Sequence, residues 1–376
     1  MKTISLLHPF SAKSIGLCEN DLLFSHSKPH EKALLRLQEE GYEVSIDYFT
    51  DNFFPFTKNI KGVAKRFWPI TKPLIKKRHA WRKQQSFFHY GSSCFNPPDV
   101  TIINMSGHGS PYCFKLAKML ANKGKPYIAM VGGIHMSTHQ QATEYYQYAH
   151  HIIVHTEIQK KQLQETALFK KLPIQVMPLG VDTSFFKPKT YSKNTVNLLF
   201  VGRISRLKQI ELCIETLSFL LNNQEKKVSL TIVGPVSDAI YFSELKTLAH
   251  KLRVAEHINF VGTVEQKQLV PYYQKANLLL LPSIHESFGM VLVEAMACGT
   301  PVAALKGAGG SDEIIEDNVN GILATKSRFM ERILQYVQSP ILQQKYSNNA
   351  RLMVEKKWSL TQTIYALRES VNHVFR

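Results

Sequence analysis

Short apolar runs alternate with segments of helical period through the first half of the chain. The runs predict strands, and the segments between them predict helices closed by a glycine or by polar residues. The predicted strands are 4–7, 44–48, 100–104, 127–131 and 152–154, and the predicted helices are 29–40, 111–122 and 157–169. Such alternation predicts an α/β unit with a doubly wound parallel sheet, in which ligands lie beyond the carboxyl ends of the strands.

The second half repeats this alternation after a polar segment without period, residues 187–194, which has the composition of a linker. The predicted strands are 197–201, 230–233, 258–262, 278–281, 302–305 and 320–323. Helices are expected at 209–222, 238–252, from about 289, up to about 356, and at 359–375. The pattern therefore predicts two domains, residues 1–185 and residues 186–358, with the candidate ligand site in a cleft between them.

One stretch, residues 281–302, has the form of an anion site. A buried strand ends at Pro282, a loop carries Glu286, and a helix begins near Gly289. The first amide groups of a helix lack intrahelical partners and lie at the positive end of its dipole, so those of Phe288, Gly289 and Met290 are expected to face an anion. Carboxylates beside a phosphate site, Glu286 and Glu294, fit the hydroxyls of a sugar that is joined to a nucleoside through a diphosphate.

The run Ser-Phe-Gly-Met-Val-Leu-Val-Glu-Ala-Met-Ala-Cys-Gly-Thr-Pro-Val, with the pair Glu286-x7-Glu294, resembles the donor motif of retaining GT-B glycosyltransferases. The resemblance implies two Rossmann-like domains that face an interdomain cleft, with the last helix, about 359–376, returning to the first domain. It also implies that Glu286 contacts the transferred sugar and that Glu294 holds the ribose hydroxyls. The family signature is specific over residues 177–325 and only architectural before them.

Cations are expected on the diphosphate. The segment after strand 197–201 carries Arg203 and Lys208, which resemble the Gly-Arg…Lys element of the family, and Arg206 between them is the weaker candidate. A guanidinium can bind two phosphate oxygens, and cations at a helix start are unfavourable unless an anion is present. By resemblance, backbone groups of Thr263 and Val264 contact the nucleobase.

In the first half, His135 follows a Gly-Gly pair at a predicted strand end and matches the family histidine near the transferred sugar. His108, also at a strand end, is a candidate contact for acceptor or donor. Many relatives carry a Gly-Gly loop after the first strand. This chain has residues 8–16 there, in which Gly16 alone offers a permissive backbone. The alternative for each histidine is a loop residue without a role.

Composition adds a charge of +17 to this picture, with 44% hydrophobic residues over 376 positions and five scattered cysteines. The cysteines indicate neither disulfides nor a zinc site, and the first residues are too weakly apolar for a signal peptide, so a cytoplasmic location is expected. Between Asp51 and Asp99 there are ten Lys or Arg, aromatics and no acid. This basic-aromatic segment, residues 58–83, suits an anionic membrane surface or lipid-linked acceptor, with a solvated loop and nucleic acid as alternatives.

The resemblance implies transfer of a sugar from a nucleoside-diphosphate sugar to an acceptor hydroxyl, such as a lipid-linked or cell-envelope glycan, with retained anomeric configuration. No cofactor is expected beyond this co-substrate. No Asp-x-Asp motif occurs, so no metal is expected at the site. Three alternatives stay open: a GT-B sugar-nucleotide epimerase, a basic nucleic-acid-binding protein, and an inactive donor-binding subunit.

Overall fold

A computed structural model describes residues 1–24, 28–71, 81–105, 107–133, 136–189, 195–224 and 227–376 of the chain. These divide into two compact units, residues 1–178 with 361–376, and residues 179–360. The predicted boundaries, 185 and 358, differ from these because Val181 belongs to the hydrophobic core of the second unit. Val181 also donates its amide to the carbonyl of Trp358 (3.0 Å).

The first unit contains an eight-stranded sheet. Its strands are β1 (Thr3–Ser11), β2 (Glu43–Thr50), β3 (Phe56–Ile60), β4 (Val63–Pro69), β5 (Val100–Met105), β6 (Tyr127–Val131), β7 (His151–Val154) and β8 (Ile174–Val176). They lie in the order β3-β4-β2-β1-β5-β6-β7-β8, and every adjacent pair is parallel except β3 and β4. The chain reverses its direction of travel between β1 and β5, which makes this the switch point of the sheet.

Helices join these strands: α1 (Glu19–Phe24), α2 (Lys28–Glu39), α3 (Phe87–Phe95), α4 (Pro111–Asn122), α5 (Gln140–Tyr148) and α6 (Glu157–Gln164). All five residues of β6 are buried, as expected for a central parallel strand that is covered on both faces. Two separate apolar clusters form the core, one on each face: Leu116 and Tyr146 belong to one, and Leu34 and Ile46 to the other. The predicted α/β architecture is confirmed for this unit.

The basic-aromatic segment begins as a β-hairpin, β3 and β4, and not as the solvated loop that was one of its interpretations. Lys65 is fully buried: its Nζ lies 2.5 Å from a carboxylate oxygen of Glu31 and donates to the carbonyls of Leu22 and Leu23. Arg66 donates to both carboxylate oxygens of Asp47, at 2.7 and 2.9 Å. Two of the ten cations are therefore engaged by acids of the first unit, Lys65 fully buried and Arg66 half-buried. Lys72, Lys76, Lys77 and Arg78 lie outside the described residues.

Asp47 is the buried acid that pairs with Arg66. Burial alone raises the pKa of the Asp47 carboxyl, but Arg66 and His89 outweigh burial and hold that pKa below its ordinary value. The carboxylate also accepts from the Trp68 indole at 2.9 Å. A buried charge is tolerated here because it is paired and hydrogen-bonded.

The second unit has a six-stranded, entirely parallel sheet. Its strands are β9 (Val196–Val201), β10 (Val228–Val233), β11 (Ile258–Gly262), β12 (Leu278–Leu281), β13 (Val302–Leu305) and β14 (Gly321–Ala324). The order is β11-β10-β9-β12-β13-β14, so the switch point lies between β9 and β12. The connecting helices are α7 (Ile210–Asn223), α8 (Ala239–Lys251), α9 (Gln266–Lys275), α10 (Met290–Ala297), α11 (Gly310–Ile314), α12 (Phe329–Gln338) and α13 (Pro340–Lys357).

The final helix, α14 (Leu360–Phe375), belongs to the first unit for nearly its whole length. Its residues Leu367 and Val371 pack in the same apolar cluster as Ile4 of β1. The Thr363 hydroxyl donates to the carbonyl of Pro178 at 2.7 Å. The return of the last helix to the first domain, which the family resemblance implied, therefore matches the division into units.

Most predicted elements are confirmed to within two residues, and β6, β11, β12, β13 and α4 coincide with their predicted bounds. The predicted helix 157–169 is shorter and ends at Gln164. Helices α1, α3, α5 and α9 and strands β3, β4 and β8 were not predicted. α3 and α5 each begin at a side-chain cap, Ser86 and His139, which accept from the amides of His89 and Ala142. Across the described ranges, no helix is both long and apolar enough to cross a membrane.

Candidate active site

The candidate residues of the second unit follow two neighbouring strands. Arg203 and Lys208 follow β9, and Glu286 and Gly289 follow β12. Because β9 and β12 are parallel and flank the switch point, their carboxyl ends open on one edge of the sheet. The topology thus places the predicted cations, carboxylate and helix opening at the position where α/β sheets bind ligands.

Lys208 and Glu286 are in direct contact. The Lys208 Nζ lies 2.6 Å from a carboxylate oxygen of Glu286, and the two side chains are 17% and 15% exposed. The Ser283 hydroxyl donates to the same oxygen at 3.4 Å. The ammonium is therefore close enough to exchange between this carboxylate and a phosphate oxygen, and the carboxylate can accept from a sugar hydroxyl when the ammonium moves.

The backbone of the Glu286 loop is fastened on two sides. The Glu286 amide donates to the carbonyl of Ala308 (2.7 Å), and the Glu286 carbonyl accepts from the amide of Gly310 (2.6 Å). On the other side the Ile284 amide donates to the carbonyl of Leu207 at 3.0 Å. The loop is therefore held between the turn that carries Lys208 and the glycine-rich turn 307–310, and the position of the carboxylate is fixed before a ligand arrives.

The close contact between the turn 307–310 and the Glu286 loop requires glycine at two positions. A Cβ atom on Gly310 would lie 2.5 Å from the carbonyl oxygen of Phe288, and one on Gly309 would lie 2.7 Å from that of Glu286. Gly309 also has a φ of +107°, which disfavours any side chain. The family resemblance of residues 307–315 therefore has a steric reason: backbone must touch backbone here.

Helix α10 opens beside Glu286. Gly289 is its N-cap with φ 100° and ψ 54°, a left-handed conformation that glycine adopts without strain. The Phe288 side chain is buried and its ring lies 5.4 Å from that of Trp358, so only its backbone is available to a ligand. The amide of Met290 lies in the first turn of the helix, where amide groups lack intrahelical partners.

Glu294 lies in a different environment from Glu286. The residue is 3% exposed, one carboxylate oxygen accepts from the Tyr273 hydroxyl (2.7 Å), and the other accepts from the Gln266 side-chain amide (2.6 Å). Burial and then the Glu294 charge raise the pKa of Tyr273, so the phenol remains the donor. Sequence analysis missed Gln266 and Tyr273, since no local pattern marks either as the partner of an acid in another helix.

Thr263 and Val264 occupy the turn between β11 and α9, where Thr263 is exposed and Val264 is half-buried. Gln266, the first residue of α9, follows them directly and reaches Glu294. The structure thus connects the predicted nucleobase turn to the predicted ribose carboxylate through one half-buried amide side chain.

The structure separates the two arginines after β9. Arg206 pairs with Glu244 (2.7 Å) and Asp238 (3.7 Å) and lies over the ring of Tyr241. Arg203 is exposed, and no carboxylate among the described residues pairs with it. Arg203 is therefore the arginine that is available to an anion, while Arg206 is bound within the protein.

In the first unit, Gly16 and His108 follow β1 and β5, the two strands at the switch point of that sheet. Gly16 is left-handed (φ 76°) and ends a short 3₁₀ helix, Ala12–Ile15, and His108 is exposed. The predicted loop 8–16 is wrong up to Ser11, because β1 continues to that residue. His135 lies outside the described residues. The Gln159 side-chain amide, which sequence analysis missed, donates to the carbonyls of Val131 and Gly133, two residues that precede His135 in the sequence.

The chain is similar to known proteins in sequence and in fold. The family model described as group 1 glycosyl transferases matches residues 181–353, which lie within the second unit. The D-inositol 3-phosphate glycosyltransferase of Nocardiopsis dassonvillei is 33% identical over 189 residues, which are 46% of this chain and 44% of that protein. The chain thus spans less than half the length of this curated relative.

Solved structures match over the whole chain at low identity. Sucrose-phosphate synthase from Thermosynechococcus elongatus has a TM-score of 0.76 at 18% identity, covering 100% of this chain and 99% of that one. Anabaena HepE, solved in complex with UDP and glucose, has a TM-score of 0.73 at 17% identity, covering 99% and 100%. These likenesses confirm the predicted GT-B fold, and residues 181–353 of the second unit match the family of group 1 glycosyl transferases.

Proposed function

We propose that this chain is a retaining glycosyltransferase that moves a sugar from a nucleoside-diphosphate sugar to an acceptor hydroxyl. The observation that carries the proposal is the contact between Lys208 and Glu286 at the switch point of the second sheet, beside the opening of α10. A cation, a carboxylate and free helix amides at one sheet edge suit a ligand that joins a sugar to a diphosphate.

In the proposed complex, Arg203 and Lys208 bind the diphosphate together with the amides at the α10 opening, Phe288 to Met290. As the diphosphate departs it gains negative charge, and donors that are already in place stabilise that charge without reorganisation. Glu286, released from Lys208, accepts from hydroxyls of the transferred sugar. Glu294 reaches the ribose where Gln266 now donates to it, and the turn at Thr263 and Val264 contacts the base.

The transfer requires no covalent enzyme intermediate. The bond between the anomeric carbon and the diphosphate oxygen breaks, and the acceptor oxygen forms its bond to that carbon on the same face, so the configuration is retained. The acceptor proton passes to the departing phosphate oxygen. In this proposal His135 lines the reacting face, His108 and Gly16 contact the acceptor, and the cations of the protein take the place of a metal ion.

The acceptor we propose is a lipid-linked or cell-envelope glycan met at an anionic membrane surface. Lys58, Lys61, Phe53 and Phe54 are exposed in and before the β3–β4 hairpin, which suits the interface of a bilayer. Lys65 and Arg66 take no part, because both are engaged inside the unit. The location that goes with this acceptor is the cytoplasmic face of the membrane.

A donor screen tests the proposal directly. The chain is incubated with nucleotide sugars of different bases and sugars, with and without envelope lipid extract, and release of nucleoside diphosphate is measured. Uridine donors come first, because HepE was solved with UDP. We expect release from one donor class that depends on the extract, with the sugar joined to a lipid product in the α or β configuration of the donor.

The same assay separates the alternatives. Conversion of the donor sugar without any acceptor would indicate an epimerase. Absence of any turnover, with salt-dependent RNA or DNA binding that survives Arg203→Ala and Glu286→Ala, would indicate a nucleic-acid-binding protein. Donor binding without release under every acceptor condition would favour an inactive donor-binding subunit.

A further inference from the structure

Three histidines of the first unit, none of them a residue of the candidate active site, lie together. His150 and His151 lie at the start of β7, and His373 lies in the last turn of α14. One potential ligand atom of each lies within 4.8 Å of the others. This cluster is at the amino ends of the strands, whereas His108 and Gly16 follow their carboxyl ends. Nothing in the proposed sugar transfer uses it.

The rings already meet at their nitrogen atoms. The Nδ1 atoms of His150 and His151 are 2.9 Å apart. The ring centroids of His150 lie 5.2 Å from those of both His151 and His373, and the His151 and His373 centroids are 6.0 Å apart. In a tetrahedral zinc site with metal–nitrogen bonds near 2.0–2.1 Å, two ligand nitrogens are about 3.3 Å apart. The half-buried His150 and the buried His151 are near this separation, and the exposed His373 has room to turn.

The second nitrogen of His151 is fixed by α14. His151 Nε2 is hydrogen-bonded to the hydroxyl of Ser370, a buried residue one turn before His373. Metal-bound histidines generally have such a partner on their other nitrogen, which sets the ring orientation. Here that partner leaves Nδ1 of His151 directed at His150. Ser370 and His373 lie on the same helix, so α14 supplies both a ligand and the group that orients another.

Three imidazole rings form the ligand set. Neutral imidazole retains the nitrogen lone pair that a metal ion requires. Imidazole nitrogens select zinc, nickel and copper over magnesium or calcium, which prefer oxygen.

We propose that His150, His151 and His373 bind one Zn²⁺ or a similar transition-metal ion, with water as the fourth ligand. The ion joins the start of β7 to the last turn of α14 and so clamps the C-terminal helix onto the rest of the first unit. The site is separate from the proposed transfer, which uses no metal, so it can be tested whether or not the chain is a transferase.

The test uses the full chain without a histidine tag, stripped of metal with a chelator and then titrated with Zn²⁺ alone. We expect one equivalent to bind tightly, and saturating zinc to raise the thermal midpoint by about 5 °C, because an ion that binds only the folded state stabilises it. His373→Ala should remove both effects. The control is His250→Ala, since His250 is an exposed histidine in the last turn of α8, and this variant should bind zinc as the wild type does.

A spectroscopic variant covers nonspecific binding by the other histidines. In a Cys18→Ser background, His373→Cys loaded with Co²⁺ should show a near-ultraviolet thiolate-to-cobalt band, and adding His150→Ala should abolish it. Zinc binding that is unchanged in His373→Ala, or a folded His373→Cys variant without the band, would overturn the proposal.

Discussion

The two units present their switch points with different chemistry. In the second unit the loops after β9 and β12 bring an ammonium and a carboxylate to 2.6 Å, and backbone hydrogen bonds hold them. In the first unit the segments after β1 and β5 carry Gly16 and His108. The carboxyl-terminal part of β1 carries the buried His8, whose ring is stacked 5.0 Å from that of Tyr48. The edge of the second sheet therefore carries charged side chains, whereas the edge of the first sheet carries imidazole and aromatic rings and a glycine.

The difference follows from what each edge has to bind under the proposed function. Every nucleoside-diphosphate sugar carries the same diphosphate, so a fixed pattern of cation, carboxylate and glycine serves all donors. Acceptors differ from enzyme to enzyme, and aromatic and histidine surfaces can be varied without changing the fold. The family match is limited in the same way, since it covers residues 181–353 and none of the first sheet.

The largest effect should come from breaking the charged pair. Lys208→Met or Glu286→Gln should each lower kcat by about 10²–10³-fold, because each removes a group placed for the transition state. Lys267→Met is the control, since Lys267 pairs with Glu265 on the surface, with both side chains more than 60% exposed. Nucleoside diphosphate release by folded protein measures the change. Equal rates in the two site variants and the control would remove the charged edge from the chemistry.

In the first unit, the buried ion pair between Lys65 and Glu31 is expected to stabilise the fold. Lys65→Met should lower the free energy of unfolding by about 3 kcal/mol, because Glu31 would be left largely buried without its cation. Lys58, its cross-strand neighbour in the β3–β4 register, is exposed, and Lys58→Met should change stability by less than about 0.5 kcal/mol. Denaturant unfolding followed by circular dichroism compares them. Similar midpoints for both variants would show that Lys65 is not buried as described.

A smaller change tests how closely the second unit's loops are packed. Gly310→Ala should cost about 2 kcal/mol and reduce turnover, since the added methyl meets the Phe288 carbonyl at 2.5 Å. Gly307→Ala meets no atom within 4 Å and should cost only the strain of its positive φ, about 1 kcal/mol. Thermal unfolding and donor turnover are measured together. The idea fails if Gly307→Ala is the more damaging variant.

The smallest effect is expected from removing a hydrogen-bond partner of the buried Glu294 carboxylate. Gln266→Ala removes the 2.6 Å hydrogen bond from the Gln266 side chain to Glu294 and should lower stability by about 1 kcal/mol. It should also change the KM for the donor more than kcat, because Gln266 lies beside the predicted nucleobase turn. Gln344→Ala, on an exposed face of α13 where the side chain donates to Asn348 at 2.9 Å, serves as the control. A change in kcat alone would place Gln266 elsewhere in the mechanism.

The sequence was most informative where one local rule decided the structure. β12 and β13 coincide with their predicted bounds because each is a four-residue apolar run that is buried on both faces. The Glu286 loop could be recognised because strand end, glycine cap and helix start follow each other directly in the chain. The strand end, glycine cap and helix start around Glu286 were therefore predictable nearly residue by residue.

Partners that are distant in sequence could not be predicted. In the sequence, Lys65 and Arg66 resemble surface charges, because their partners Glu31 and Asp47 lie in other elements of the first unit. The β3–β4 hairpin was missed for this reason. Tyr273 pairs with Glu294 across two helices, and no spacing rule connects them. His373 meets His150 only because α14 returns to the first unit. In each case tertiary packing, and not local propensity, decides the environment of the side chain.

The central claim is that the second unit binds the diphosphate of a donor, and the two arginines after β9 test it most directly. Titration calorimetry with a panel of nucleoside diphosphates should find one that binds wild-type protein. Arg203→Ala should weaken that binding at least about tenfold, since a charge-assisted bond is lost. Arg206→Ala should leave it within about twofold, because Arg206 is held by Glu244 and Asp238. Equal affinity in wild type and Arg203→Ala, or no binding of any nucleoside diphosphate, would contradict the account.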